Sequence, residues 1–384
     1  MQFNPLAIVE EIMNDFAYRT GISSDLKPRR YLWTDAFAVC NLLELYRKDF
    51  GERYKNLALK LIDQVHFILG RHRDDDSRRG WISGLSDEEG FKHPTIGGLR
   101  IGKPLPERKP DEPFDEYLEW ERDGQYYHYL TRWMYTLNRV YLATGDAIYN
   151  LWAIELAKTA HRAFVYTDHS GRKRIYWKMS IDLSYPLVVS MGLHDPLDGF
   201  TVYYELQAYA PRDPLWPSLS KEIEEIEGIL RGVELATDDP LGIGTLLWDA
   251  YTLARLISYR SIDRIDMLAD ILDAALLSLE LYLTGRQSIL PSSGRLAFRE
   301  LGLSIGLKAL DRLFRLVRSG SFPRDDRMDY LLESLRYYMR LADRIDRYWL
   351  NSRSRGDYAW RKYEDINMVM LATSLAPDGF LGSY

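Results

Sequence analysis

Cysteine is almost missing from this chain: Cys40 is the only one among 384 residues. That excludes an intrachain disulfide framework and any cysteine-rich zinc site. Cys40 falls in the largely apolar run 36–45, where a thiol reads as a small buried hydrophobe rather than a reagent. Long hydrophobic runs are missing too. No stretch of about 18 apolar residues occurs, so no membrane-spanning helix is expected. The first segment, MQFNPLAIVEEIMNDF, puts Glu10 and Glu11 where a signal peptide needs an apolar core. No secretion signal is therefore expected, and a cytoplasmic location follows. Neither sign of charge dominates: 50 Lys plus Arg against 56 Asp plus Glu leave a formal charge of −6. Such a balance supplies no field to gather nucleic acid or an anionic membrane, and neither is expected as a partner. The zinc motif H-E-x-x-H, calcium-loop spacing, a glycine-rich phosphate loop after a strand and a G-x-S-x-G elbow are all lacking. No metal, nucleotide or other cofactor is expected. The spacing His194-x-x-x-Asp198 is compatible with a metal but is a minor reading, and Asp74, Asp75 and Asp76 read as a solvated turn.

Aromatic residues are plentiful, with ten Trp and 27 Tyr. Such rings fill cores, and they also form platforms for the apolar faces of sugar rings. Helical periodicity dominates the rest. Apolar residues at Ala36, Phe37, Val39, Cys40, Leu42, Leu43 and Tyr46 repeat at helix spacing. The pattern resumes after Gly51 at Tyr54, Leu57, Ala58, Leu61, Ile62, Val65 and Phe67, and stops at Gly70. Glycine ends helices readily because it tolerates left-handed dihedrals. The result is one helical hairpin. A second copies it at an offset of 95 residues: Leu42 matches Leu137, Tyr46 Tyr141, Tyr54 Tyr149, Ala58 Ala153 and His66 His161. Five matches at one offset indicate a repeated unit. Further helices are expected over 4–19, 197–210, 218–236, 243–259, 262–284, 295–319, 325–349 and 362–374, twelve in all. A short strand is expected at 174–178 and no other. Six hairpins, each burying a face on its neighbours, can close into a ring. The expected fold is thus all-α, an (α/α)6 toroid forming one domain over 1–384, with its long loops at one end. The longest, 71–119, would cover the mouth of the cavity.

In such a ring the site lies where inner helices begin. The residues there are Trp33 and Asp35; Trp120, Asp123, Gln125, Tyr126 and His128; His194, Asp195 and Asp198; Trp248 and Asp249; Arg295; and Trp360, Glu364 and Asp365. Trp177, in the second long connection 166–195, joins the aromatic set. Helix capping is the plain explanation for several acids. Asp195-Pro196, Asp238, Asp239-Pro240 and Ser293 all fit it, since an oxygen at a helix start accepts first-turn N–H groups. Asp35, Asp123 and Asp249, each close to an aromatic residue at or inside a helix start, are stronger candidates for chemistry. Glycosidic cleavage needs one carboxylic acid to protonate the leaving oxygen and a second carboxylate to activate water or attack the sugar. An aromatic wall of low dielectric raises the acid's pKa toward working pH. The catalytic pool for this reading is Asp35, Asp123, Asp195 and Asp249. Trp33, Trp120, Gln125, Tyr126, Trp177, Asp198, Trp248, Arg295, Trp360, Glu364 and Asp365 would hold the substrate. Histidine offers an alternative. His128 has small neighbours at Gly124 and Thr131 on its helical face, and His194 precedes Asp195. Two imidazoles across a ring could move protons on and off a sugar carbon. His66 and His161, late in outer helices, read as structural.

The segments YLWTDAFAVCNLLELYRKDFGERYKNLALKLIDQV (31–65) and YYHYLTRWMYTLNRVYLATGDAIYNLWAIELA (126–157), with the turn LATGDAIYNLWA, carry a family likeness. The chain resembles the six-hairpin glycosidase-like group, which includes glycoside hydrolases and the N-acylglucosamine 2-epimerase family. The resemblance implies a twelve-helix (α/α)6 toroid and a sugar-related site in its pit. It does not extend to a catalytic motif. The zinc-dependent lanthionine-cyclase-like relatives are excluded in their usual form, because their metal cysteines are absent. The leading expectation is a glycoside hydrolase, inverting in type, acting on an oligosaccharide or smaller sugar. The alternatives are a sugar epimerase or isomerase using His128 and His194, and a non-enzymatic helical scaffold.

Overall fold

The computed structural model describes residues 4–259, 261–285, 295–319, 322, 326–351, 356 and 358–382. Internal contacts divide the chain into two compact units, Asn14–Gly232 and Met1–Met13 with Val233–Ser383. Helix α1 is Pro5–Arg19. Among the described residues no helix is long and apolar enough to cross a membrane.

In the unit Asn14–Gly232, α2 (Leu32–Arg47) and α3 (Glu52–Leu69) form the first hairpin. Helix α2 is buried along nearly its whole length, whereas α3 buries Tyr54, Ala58, Leu61, Ile62, Val65 and Leu69 on one stripe. That contrast is what makes one helix inner and the other outer. Two short helices follow in the long connection. Helix α4 (Asp87–Lys92) is capped by Ser86 and α5 (Glu116–Glu121) by Asp115, each accepting an N–H three residues on. The second hairpin is α6 (Tyr127–Thr144) and α7 (Ile148–Phe164), turned by Gly145 at φ 75°. The third is α8 (Asp195–Tyr209) and α9 (Ser220–Leu230). Helix α6 packs on both α2 and α8, while α3, α7 and α9 each back their own partner. The starts of α2, α6 and α8 therefore come side by side. Cys40 is fully buried in α2, and desolvation pushes its thiol up to about 12, so it is packing and not a nucleophile.

The structure revises several boundaries. The helix expected to open at Glu119 begins only at Tyr127. Gly124 interrupts it at φ +147°, where a Cβ would sit 2.7 Å from the Met179 carbonyl. The residues before α6 instead form strand β1 (Gln125–Tyr126). The one strand expected at 174–178 is two, β3 (Lys173–Ile175) and β4 (Lys178–Met179), and β2 (Val165–Thr167) and β5 (Pro186–Val188) were not anticipated. Strands β2 and β3 form an antiparallel hairpin, and β1, β4 and β5 a second small sheet. Strands of two or three residues are too short for an alternating pattern to register.

In the other unit, α10 (Pro240–Ser258) pairs with α11 (Ile265–Thr284), and α12 (Ala297–Arg318) packs on α10 and on the later helix Glu364–Leu375. The single helix expected over 325–349 is two, α13 (Asp326–Arg336) and α14 (Leu341–Leu350), joined by turns with i to i+3 bonds such as Leu341 N–H to the Tyr338 carbonyl. No glycine or proline marks that break. The helix expected over 362–374 is α16 (Glu364–Leu375), preceded by the short helix α15 (Tyr358–Lys362), and α17 (Asp378–Leu381) follows. Asp239 caps α10 as expected, accepting Gly242 N–H at 3.0 Å. The cap expected at Ser293 lies outside the described residues.

Helices α10 and α12 meet through glycine. A Cβ on Gly244 would lie 2.2 Å from the Gly302 carbonyl oxygen, and one on Gly306 2.6 Å from Gly244 Cα. Backbone on both sides leaves nothing that can give way. Gly244→Ala is expected to destabilise the protein by about 3 kcal/mol in denaturant unfolding. Gly228→Ala, in α9 with nothing within 4 Å of the added carbon, is expected to stabilise it by about 0.5–1 kcal/mol. A neutral Gly244→Ala would contradict the close approach.

Candidate active site

The starts of α2, α6 and α8 bring Trp33, Tyr126, His128, Tyr129, Arg132, Asp195 and Asp198 into one cluster. Two ion pairs set the register of α6 against α8. Arg132 donates to Asp198 at 2.7 Å, and two turns further Arg139 pairs with Glu205; all four side chains are buried. Thr131 Oγ1 also approaches Asp198, at 3.4 Å. This register places His128 Nδ1 3.7 Å from Asp195 Oδ1.

Asp195 is 4% exposed. It is the first residue of α8, after His194 at the N-cap position. It is not a cap, contrary to the plain reading of Asp195-Pro196, because its carboxyl turns back to accept Gly192 N–H at 3.2 Å. Burial is the main force on its protonation, and the negative charge of Asp198 adds to it. Together they push the carboxyl from an ordinary 3.8 up to about 8, against the weaker opposing effect of the Gly192 N–H. The group is a neutral acid at neutral pH.

Aromatic rings surround His128. His128 lies nearly parallel to Trp177, 14° apart with centroids at 6.1 Å, and Tyr126 tilts against both at 5.3 and 5.1 Å. Tyr129 meets His128 edge-on at 4.9 Å, and Trp33 packs on Tyr129 at 5.3 Å. Tyr129 and Tyr31 share a hydroxyl hydrogen bond of 2.6 Å. Burial raises the phenols of Tyr31 and Tyr126 above the usual tyrosine range, so both are neutral donors.

Other expected site residues hold the structure together. Asp35, on α2, accepts Tyr31 N–H at 2.9 Å and pairs with Arg30 at 3.3 Å, closing the first turn of that helix. Asp123 is fully buried and bonded by Arg100 at 2.6 Å, Arg73 at 3.3 Å and Gly102 N–H at 3.0 Å. It ties the long connection down. The Gln125 amide is taken up by Leu99 N–H, the Gly97 carbonyl and the Ile181 carbonyl. Trp120 is on α5, half out in solvent, with its ring against Trp177. His194 is half-buried.

Trp248, Asp249, Arg295, Trp360, Glu364 and Asp365 belong to the other compact unit. Trp248 and Asp249 lie more than two turns inside α10, not at its start, and Trp248 packs on Phe380. Arg295 pairs with Glu300 and covers the Tyr348 ring at 4.0 Å. Trp360 stacks on Trp349, and Glu364 and Asp365 open α16. The two late histidines are structural, as expected. His66 accepts from Trp133 Nε1 at 3.1 Å, with its pKa driven down to about 3 by burial, and His161 meets Glu225 at 3.1 Å.

Arg132, Tyr31, Tyr129 and Lys178 were not anticipated. Arg132 had a legible signal, since it and Arg139, two turns apart, are cations within a helix expected to be an inner one. Lys178 had none. Its amine is wholly buried and donates to Glu119 Oε1 and to the Glu119 and Arg122 carbonyls, each at 2.8 Å.

No known family profile matches the chain, and no curated protein matches its sequence. Its structure is similar to that of a GH76 alpha-mannanase of Bacteroides thetaiotaomicron, with TM-score 0.56, 10% identity and coverage of 99% of this chain and 98% of that one. It is also similar to a D-mannose isomerase, with TM-score 0.52, 12% identity and coverage of 98% and 99%. These likenesses show the fold: the chain is of the six-hairpin, (α/α)6 toroid class.

The raised pKa of Asp195 makes stability depend on pH. The unfolded carboxyl ionises near 3.8 and the folded one near 8, so across that window folding takes up a proton. The stabilisation is complete below the lower value and is lost as pH rises to the upper one. Asp195→Asn, neutral throughout, should therefore flatten the decline in melting temperature between these limits. Parallel declines in wild type and variant would contradict the assignment.

Proposed function

We propose that this chain is a carbohydrate-active enzyme whose acid–base chemistry is carried by Asp195 and His128, and that the 71–119 segment covers the mouth of its pit. Hydrolysis of a glycosidic bond is the leading reaction. Asp195 donates its proton to the departing oxygen while a water attacks the anomeric carbon and gives up its own proton to a base, the role open to His128, and the surrounding rings stack on the sugar. The observation that carries this reading is a buried carboxyl, pushed up to about 8 by desolvation and the charge of Asp198, 3.7 Å from a half-buried imidazole that aromatic rings surround. Lysozyme-type chemistry needs such an acid, kept protonated by a poorly solvating environment. The two similar structures bear the names of a mannanase and a mannose isomerase, so mannose-configured substrates are the first to try.

A second reading, isomerisation or epimerisation of a free sugar, is favoured by the position of His128. Its imidazole can take a proton from a sugar carbon while Asp195 protonates oxygen, and His194, adjacent in sequence to Asp195, could assist.

A panel of mannosides, glucosides and free aldoses tests both. Asp195→Asn should lower kcat by about 10²–10⁴, and wild-type kcat should fall as pH rises through about 8, where the donor loses its proton. Release of reducing ends marks hydrolysis. Solvent deuterium entering a sugar carbon marks isomerisation. Undiminished turnover in Asp195→Asn would remove Asp195 from the chemistry.

A further inference from the structure

The rings around His128 continue outward. Tyr126 is buried, His128 and Trp177 are half-buried, and Trp120, whose centroid lies 5.3 Å from that of Trp177 at an interplanar angle of 79°, is 43% exposed. The series runs from the acid–base pair to solvent through ring contacts alone. A single exposed apolar residue is ordinary, but this one is the outer end of a continuous path and is rigidly mounted. Its helix α5 is capped by Asp115. Glu119, the preceding residue, is held by Arg108 at 3.0 Å and Lys178 at 2.8 Å. The Arg122 carbonyl, two residues on, accepts from the same lysine. An indole fixed in this way has little rotational freedom left to lose when something stacks on it.

We infer that Trp120 is an outer stacking platform for one sugar unit of a chain, so that the substrate is an oligosaccharide or polysaccharide and not a single sugar. The inference rests on the carbohydrate reading above. A pyranose ring presents an apolar face of C–H groups, which an exposed indole covers without having to satisfy any hydroxyl. Lys178 is what positions the platform, since one buried ammonium holds Glu119 and Arg122, on either side of Trp120 in the chain.

Calorimetric titration with linear manno-, gluco- and xylo-oligosaccharides, from monosaccharide to hexasaccharide, tests the inference without reference to turnover. Wild-type affinity should climb with chain length in at least one series. In Trp120→Ala that climb should disappear, weakening the longest ligand by roughly tenfold, and Trp120→Phe should restore part of it. Trp120→Leu keeps apolar bulk without a planar face and gives the same readout if thermal melting shows the alanine variant to be poorly folded. A climb that persists in these variants overturns the platform and leaves the carbohydrate reading standing. So does a wild type that binds monosaccharides as tightly as hexasaccharides. A wild type that binds no member of any series overturns both.

Discussion

The Arg132–Asp198 ion pair fixes α6 against α8 at the level of the site, and the Arg139–Glu205 pair repeats the clamp two turns deeper. Buried pairs of this kind bring little net stability over well-packed apolar residues, because desolvation of both ions offsets their attraction. What they bring is register. A shift of one residue along α8 would break both buried pairs, at a cost of about 3–5 kcal/mol each. Held in this register, Asp195 has, among the described residues, the His128 imidazole as its facing partner and no Lys or Arg, and it lies one turn from Asp198, which has Arg132. Its neutrality follows from that placement.

The connections on either side of the second hairpin use charge for a different purpose. Asp123, Arg100, Arg73, Lys178 and Glu119 are buried or nearly so, and they bind backbone groups as well as one another. Connecting segments usually run over the surface because their amides need water. Here ionised side chains satisfy them, so the two long connections can be ordered and can carry Trp120 and Trp177, one on each, to fixed positions.

Much of the architecture was legible in the sequence. Inner and outer helices differ in whether apolar residues cover every face or one stripe, and α2 and α3 show that difference directly. Gly145 marked a turn by its own conformational freedom. The details before α6 were not legible, because Gly124 breaks the chain there for the sake of a close approach to Met179, more than fifty residues away. Nor could the sequence assign the acids. It favours Asp123, near Trp120 before an inner helix, over Asp195, which reads as a cap before Pro196. One meets Arg100 and Arg73, the other meets a lone N–H and the charge of Asp198. Partners brought from distant segments decide which becomes cement and which becomes an acid.

The account stands most directly on the protonation state of Asp195. Carbon-13 NMR of aspartate carboxyls, with the Asp195 signal assigned by its loss in Asp195→Asn, measures this without substrate. The account predicts a carboxyl still protonated at neutral pH that titrates near 8. Titration near 4, the ordinary range for aspartate, would contradict it.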